Sequence, residues 1–252
     1  MEEKNYFFRI IDLLRTIIKE KTEKIDDSFL EKVSEYLKLE KKSDWHTFCC
    51  IMDSIEDTEH AKLSFKKYGF KGPTQYEDLG EIYIRLYGFF NALYLQKTAI
   101  EELLRISRIE NIAKMKKDLN ALEIIKLRHK AASHTIKYND NNISESYMIC
   151  QYYLENNDLE LLDQNNKFEE YSFEKLKNLL EEYNNYCFEV LCKIGKKFIE
   201  HLYKTESDRK KKFIKEIDEL NNEKNGEIVT KIKLDCPFKN KCDKYQKHYA
   251  SQ

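Results

Sequence analysis

The chain has 252 residues with a net charge of −1, and 41% hydrophobic against 35% charged residues. It can therefore build one large core under a densely charged surface, and nothing global marks it for nucleic acid or an anionic membrane. Two prolines and six glycines are too few for an all-β fold, so long helices are expected, and no apolar run reaches the 18 residues of a membrane span.

In chain order, "NYFFRIIDLLRTIIKE" places Phe8, Ile11, Leu14, Ile17 and Ile18 at helical spacing. A second helix starts near Ser28, where Ser28 and Glu31 have capping-box spacing and Phe29, Val33, Tyr36 and Leu37 form the stripe. A third runs from about Ser43 to Tyr68 and stops at Gly69. The stretch "GFKGPTQYEDLG" holds three of the six glycines and reads as a linker. A long helix follows from about Tyr76 to Ile106, then one from about Lys117 to Ser133 with Leu119, Leu122, Ile125 and Leu127 inward. Residues 144–171 are β-branched, aromatic and broken by Asn/Asp clusters, which predicts two or three short antiparallel strands. Helix returns at Ser172, with Phe173, Leu176, Leu179, Leu180, Tyr183, Cys187, Val190, Leu191 and Ile194 on its stripe, and continues to about Tyr203. The charged segment after it predicts a peripheral helix, and the end, "DCPFKNKCDKYQKHYASQ", is irregular. The fold class expected is all-α with a small antiparallel β insert. Its parts are an N-terminal helical region over 1–70, a bundle with the insert over 71–205, and a charged helix and tail over 206–252.

The opening "MEEKNYFFRIIDLL" lacks a signal-peptide pattern, and seven irregularly spaced cysteines suit reduced thiols, so a cytoplasmic location is expected. Cys49 and Cys50 read as buried small hydrophobes. His46, His60 and His201 read as helix-face or packing residues. Cys236, Cys242 and His248 are spaced such that a fourth ligand would make a zinc site, but no tight C-x-x-C pair is present, and free thiols on a tail is the reading preferred. No nucleophile elbow and no phosphate-binding glycine loop exist, which sets aside a Ser/His/Asp hydrolase, an ATPase and a kinase. Asp208 to Lys212, "DRKKK", reads as a solvated charge run.

The stretch "IIKLRHKAASHTIKY" carries the chemistry. It puts Arg128, His129 and His134 at the end of a helix. From Lys114 to Lys137 there are seven basic and two acidic residues, a local charge of +5. One reading is a solvated helix terminus, where cations are favoured by the macrodipole. The other is a site. In a regular helix Arg128 and His134 point about 120° apart; if the helix ends near Ser133, His134 can swing back toward Arg128, and two facing copies would bring both pairs into one cleft. An imidazole can move the protons of a ribose hydroxyl and a leaving oxygen, and a guanidinium can grip a phosphate with two hydrogen bonds.

"LRHKAASH" resembles the signature of the HEPN superfamily: an arginine, a polar residue after it, then a histidine four to six positions on. Here these are Arg128, His129 and His134. The upstream helix "YGFFNALYLQKTAIEELL" and the β-rich insert are similar to features of bacterial members, and the resemblance covers about residues 75–203. It implies an up-and-down helical bundle that forms a homodimer and acts as a metal-independent endoribonuclease, without a cofactor, in toxin–antitoxin, abortive-infection or anti-phage systems. A nearby antitoxin or sensor protein would be its partner. His134 would be the general base or acid, Arg128 would hold the scissile phosphate, His129 would polarise or orient, and Lys126 and Lys130 would contact RNA. Related sequences often carry an acid where this chain has Thr98. That departure favours the alternative, a catalytically inactive HEPN-like module that binds RNA or a protein partner.

Overall fold

A computed structural model describes residues 5–23, 29–75, 78–132, 138–140 and 143–226. The chain begins with α1 (Tyr6–Thr22), opened by Asn5, whose side-chain oxygen accepts from the backbone N–H groups of Phe7 and Phe8. Phe7, Ile10, Ile11, Leu14, Ile17 and Ile18 face the core. Phe8, expected inward, instead lies half-buried against the ring of His60, 4.8 Å away; the helix phase that buries Ile10 and Ile11 selects Phe7. The short helix α2 (Phe29–Leu37) buries Val33 and Leu37; Ser28, its expected cap, lies outside the described residues.

Helix α3 (Ser43–Tyr68) ends where the sequence said it would. Gly69 has a φ of +64°, and its N–H bonds to the Phe65 carbonyl at 2.8 Å. A side chain at Gly69 would also collide with Asn157, so both backbone and space call for glycine. Helix α4 (Leu79–Ser107) is capped by Asp78, whose carboxylate accepts from the Glu81 N–H. It packs along α3 more extensively than any other pair of elements.

The helix expected over 117–133 is two helices, α5 (Ile112–Ala121) and α6 (Glu123–Ala132), with Leu122 extended between them (ψ 135°). On one straight helix Leu119, Ile124, Ile125 and Leu127 would spread over about 240°. The break lets each half turn its apolar residues inward, and all four are buried, while Leu122, expected inward, is half-buried at the break itself.

Next come a hairpin, β1 (Tyr138–Asp140) and β2 (Ile143–Glu145), then β3 (Tyr147–Ile149), one turn of helix α7 (Gln151–Leu154), β4 (Leu159–Asp163) and β5 (Phe168–Tyr171). The order β3-β4-β5 is antiparallel throughout, with Tyr147 opposite Asp163 and Leu159 opposite Tyr171. The expected insert is thus a three-stranded sheet, and the additional hairpin precedes it. Tyr147, Leu159, Leu161 and Tyr171 form its buried side.

Helix α8 (Phe173–Leu202) is capped by Ser172 and buries eight of the nine stripe residues named above, while Phe173, on its first turn, is half-buried with its ring edge-on to Phe65. Helix α9 (Ser207–Lys224) is less peripheral than its composition implied: Phe213, Ile217 and Leu220 are buried against α8 and α1. Gly195 permits that approach, since a methyl group there would lie 2.8 Å from Ile217 and 2.9 Å from Leu14. One hydrophobic cluster runs from Phe7 to Leu220, so the N-terminal helices share the core of the later ones. The fold is mainly α-helical, and among the described residues no helix is long and apolar enough to cross a membrane.

Candidate active site at the α4–α6 contact

Helix α6 packs mainly on α4, and also on α5, α8 and β3, with Ile124, Ile125, Leu127 and Ala131 buried. That packing turns Arg128 toward the flank of α4. Its guanidinium lies over the ring of Tyr94, 4.1 Å from the centroid, and Nη1 sits 3.2 Å from Nδ1 of His129. A guanidinium has no acceptor, so Nδ1 of His129 must accept in this contact, and the imidazole then carries its proton on Nε2.

Arg128 is half-buried, and its Nε is buried without a hydrogen-bond partner among the described residues. Desolvation lowers its pKa from the usual value, though arginine remains charged. Among the described residues no carboxylate pairs with it. Arginines of the structural kind behave differently here: Arg105 bonds both Asp44 and Glu102 at 2.7–2.8 Å, and Arg15 bonds Asp53 and Glu56 at 2.7 Å. A stacked, partly desolvated guanidinium with an unused N–H is suited to an anion arriving from outside.

The other expected site residues fall in different places. His129 is beside Arg128, half-buried. Helix α6 ends at Ala132, close to the Ser133 expected, and His134 lies outside the described residues. Lys126 is exposed, but two positions from Arg128 turns it about 200° away around α6, so it is not a neighbour of the guanidinium. Lys130 bonds both oxygens of Glu169 at 2.6 and 2.9 Å and sits over the Tyr147 ring, which ties α6 to β5 and β3. Thr98 is exposed one turn beyond Tyr94 on α4. Threonine supplies no carboxylate at this position.

Tyr94 is the neighbour of Arg128 that sequence reading missed. It lies 34 positions before Arg128, and the only local trace is a run of aromatics on α4: Tyr83, Tyr87 and Tyr94 share one edge of the helix. Along the adjoining edge Ile84, Gly88, Asn91 and Leu95 are exposed, with Ile84 at 67% and Leu95 at 47%.

Cys236, Cys242 and His248, the zinc spacing noted in the sequence, lie outside the described residues, and no group of three or more His, Cys, Asp or Glu that could hold a metal occurs among the described ones. Cys49 is half-buried and Cys50 exposed, 3.6 Å from His46 Nε2, so neither is the core residue expected: the face of α3 that meets the core is set by Phe48, Ile51, Met52 and Ile55. The lysines of "DRKKK" lie on the first turns of α9, where Lys212 approaches Glu20 and Glu216 at 3.9 Å. No family model, no curated protein and no solved structure matches the chain.

Proposed function

We propose that this chain is a HEPN-type, metal-independent endoribonuclease that works as a homodimer in toxin or anti-phage defence. The observation that carries this is Arg128: a cation stacked on Tyr94, half-desolvated, bonded to a histidine and lacking a carboxylate among the described residues. A solvated helix terminus does not require any of these features. In the proposed reaction a ribose 2′-oxygen attacks the adjacent phosphorus and the bond from phosphorus to the 5′-oxygen breaks. An imidazole takes the 2′ proton, and a proton is delivered to the leaving 5′-oxygen. Arg128 binds the non-bridging oxygens and stabilises the charge that grows on them. The products are a 2′,3′-cyclic phosphate and a 5′-hydroxyl. His134, two residues past α6, has the role the HEPN resemblance implies. His129 orients Arg128.

The exposed edge of α4 supports the dimer. Ile84 and Leu95 are large apolar residues in solvent, and a built side-chain carbon at Gly88 meets nothing within 4 Å, so a second helix has both an apolar contact and room to approach. Two-fold pairing there would set two Arg128 guanidiniums on either side of one cleft. The test is induction of the protein in bacterial cells with total RNA examined by gel. Wild type is expected to slow growth and fragment RNA, while Arg128→Ala and His134→Ala, confirmed as folded by circular dichroism, do neither. Equal RNA fragmentation by wild type and Arg128→Ala would remove the proposed site.

A further inference from the structure

Two turns of α4 before Tyr94 lies a groove that the proposed reaction does not use. It has a volume of about 570 Å³ and is walled by Tyr83 and Tyr87 of α4 on one side and by Tyr147, Met148, Cys150 and Gln151 on the other. Tyr83 and Tyr87 are stacked, with centroids 5.8 Å apart and planes 29° apart. Tyr87 is 46% exposed and Met148 61% exposed, so a flat aromatic face and a polarisable thioether look into solvent across a space of small-ligand size. The strand wall is held rigidly, because Tyr147 is buried and Lys130 lies over its ring while bonding Glu169.

We infer that this groove is a base-stacking subsite for single-stranded RNA, in which Tyr87 and Met148 hold an unpaired nucleobase flanking the phosphate bound by Arg128. The inference rests on the ribonuclease reading above and adds to it the part of the substrate recognised. Tyr87 and Tyr94 are two turns apart on one edge of α4, about 10 Å along the axis. A strand whose phosphate sits on Arg128 above Tyr94 therefore runs along that edge into the groove within a couple of nucleotides. The wall offers aromatic faces beside polar groups and carries no charged side chain, which suits a base face and not a second phosphate. Stacking tolerates any base, so the subsite selects for unpaired strand over duplex. The apolar edge proposed for dimerisation, Ile84, Gly88 and Leu95, lies roughly a quarter turn around α4, which leaves the groove open in the dimer.

The test reads binding, so it does not depend on turnover. Fluorescence anisotropy of a labelled 2′-O-methyl oligouridylate, which lacks the attacking hydroxyl and cannot be cut, is measured with the full-length wild-type protein as parent and with its Tyr87→Ala and Tyr87→Phe variants. Tyr87 is exposed, so these changes do not threaten folding. Loss of one stacked base is expected to weaken binding about ten-fold in Tyr87→Ala, and Tyr87→Phe, which keeps the ring face, should bind as the parent does. An oligonucleotide with one abasic position should lose a similar factor on the parent and almost nothing on Tyr87→Ala. Equal affinity of the Tyr87→Ala protein and its parent, or no RNA binding at all, overturns the subsite; the latter would leave the groove to a protein partner. The ribonuclease reading fails separately, if Arg128→Ala cuts RNA as fast as wild type.

Discussion

Replacing Tyr94 by alanine removes the ring that lies 4.1 Å beneath the Arg128 guanidinium. Cation–π contacts contribute about 0.5–1 kcal/mol at exposed sites and about 2 kcal/mol when desolvated. Arg128 is half-buried and Tyr94 is 37% exposed, which places this contact between those limits. If the ring holds the guanidinium where the phosphate needs it, losing about 1–2 kcal/mol of that positioning lowers kcat/KM about 5- to 30-fold. The fall should appear mainly in kcat, because an arginine that still reaches the phosphate retains ground-state attraction. Tyr94→Phe keeps the ring face and should stay within about two-fold of wild type. Because Tyr94 lies at the surface, thermal stability should change little, and a melting curve separates the two effects. The assay is initial-rate cleavage of a fluorogenic oligoribonucleotide in EDTA. A Tyr94→Ala enzyme as fast as wild type, beside an inactive Arg128→Ala, would show that the ring does not position the cation.

Light scattering should give about twice the 30.4 kDa chain mass, and Leu95→Glu, placing a charge on the exposed edge of α4, should give a monomer; a Leu95→Glu dimer would move the interface elsewhere. Lys62 is buried with Glu59 at 2.6 Å, also donates to Asn184 at 2.6 Å, and lies over the Phe7 ring. Lys62→Met leaves the Glu59 carboxylate buried without its cation, which should cost about 3–5 kcal/mol and lower Tm by on the order of 10 °C, while adding Glu59→Leu should recover most of the loss; calorimetry on the two variants checks this. The hydrogen bond from Arg105 holds the Asp44 carboxyl below its usual range. Since the folded pKa is the lower one, the unfolded chain binds more protons, so this contribution is complete above about pH 4 and is lost as pH falls through the folded value. Asp44→Asn should therefore flatten the acid limb of Tm against pH, and an unchanged limb would assign acid sensitivity to other carboxylates.

Much of the fold could be read from the chain because its signals are local. Gly69 stops α3, Ser172 starts α8, and the stripe from Leu176 to Ile194 repeats at helical period with no competing reading. The break at Leu122 carried no such signal. Leu119, Leu122 and Ile125 keep a helical spacing across it, and only the need to bury Leu119 together with Ile124, Ile125 and Leu127 separates the two halves. The same limit applied to Phe7 and Phe8, and to Cys49 and Cys50, where adjacent residues of similar character are divided by the direction of the core. At the candidate site, Arg128 and His129 were legible as neighbours on a helix end. The Tyr94 ring beneath Arg128 and the Glu169 carboxylate on Lys130 come from other elements, and no pattern of spacing encodes them.

The most direct measurement of the central claim is the chemistry of the cut ends. A single-stranded oligoribonucleotide is incubated with the protein in EDTA, alongside the same oligonucleotide bearing one 2′-deoxy sugar at the cut position, and the fragments are weighed by mass spectrometry. A 2′,3′-cyclic phosphate and a 5′-hydroxyl are expected on the first, no cut at that position on the second, and neither product with Arg128→Ala. Cutting that persists at the 2′-deoxy position, or that vanishes in EDTA and returns with Mg²⁺, would contradict attack by the 2′-oxygen under Arg128.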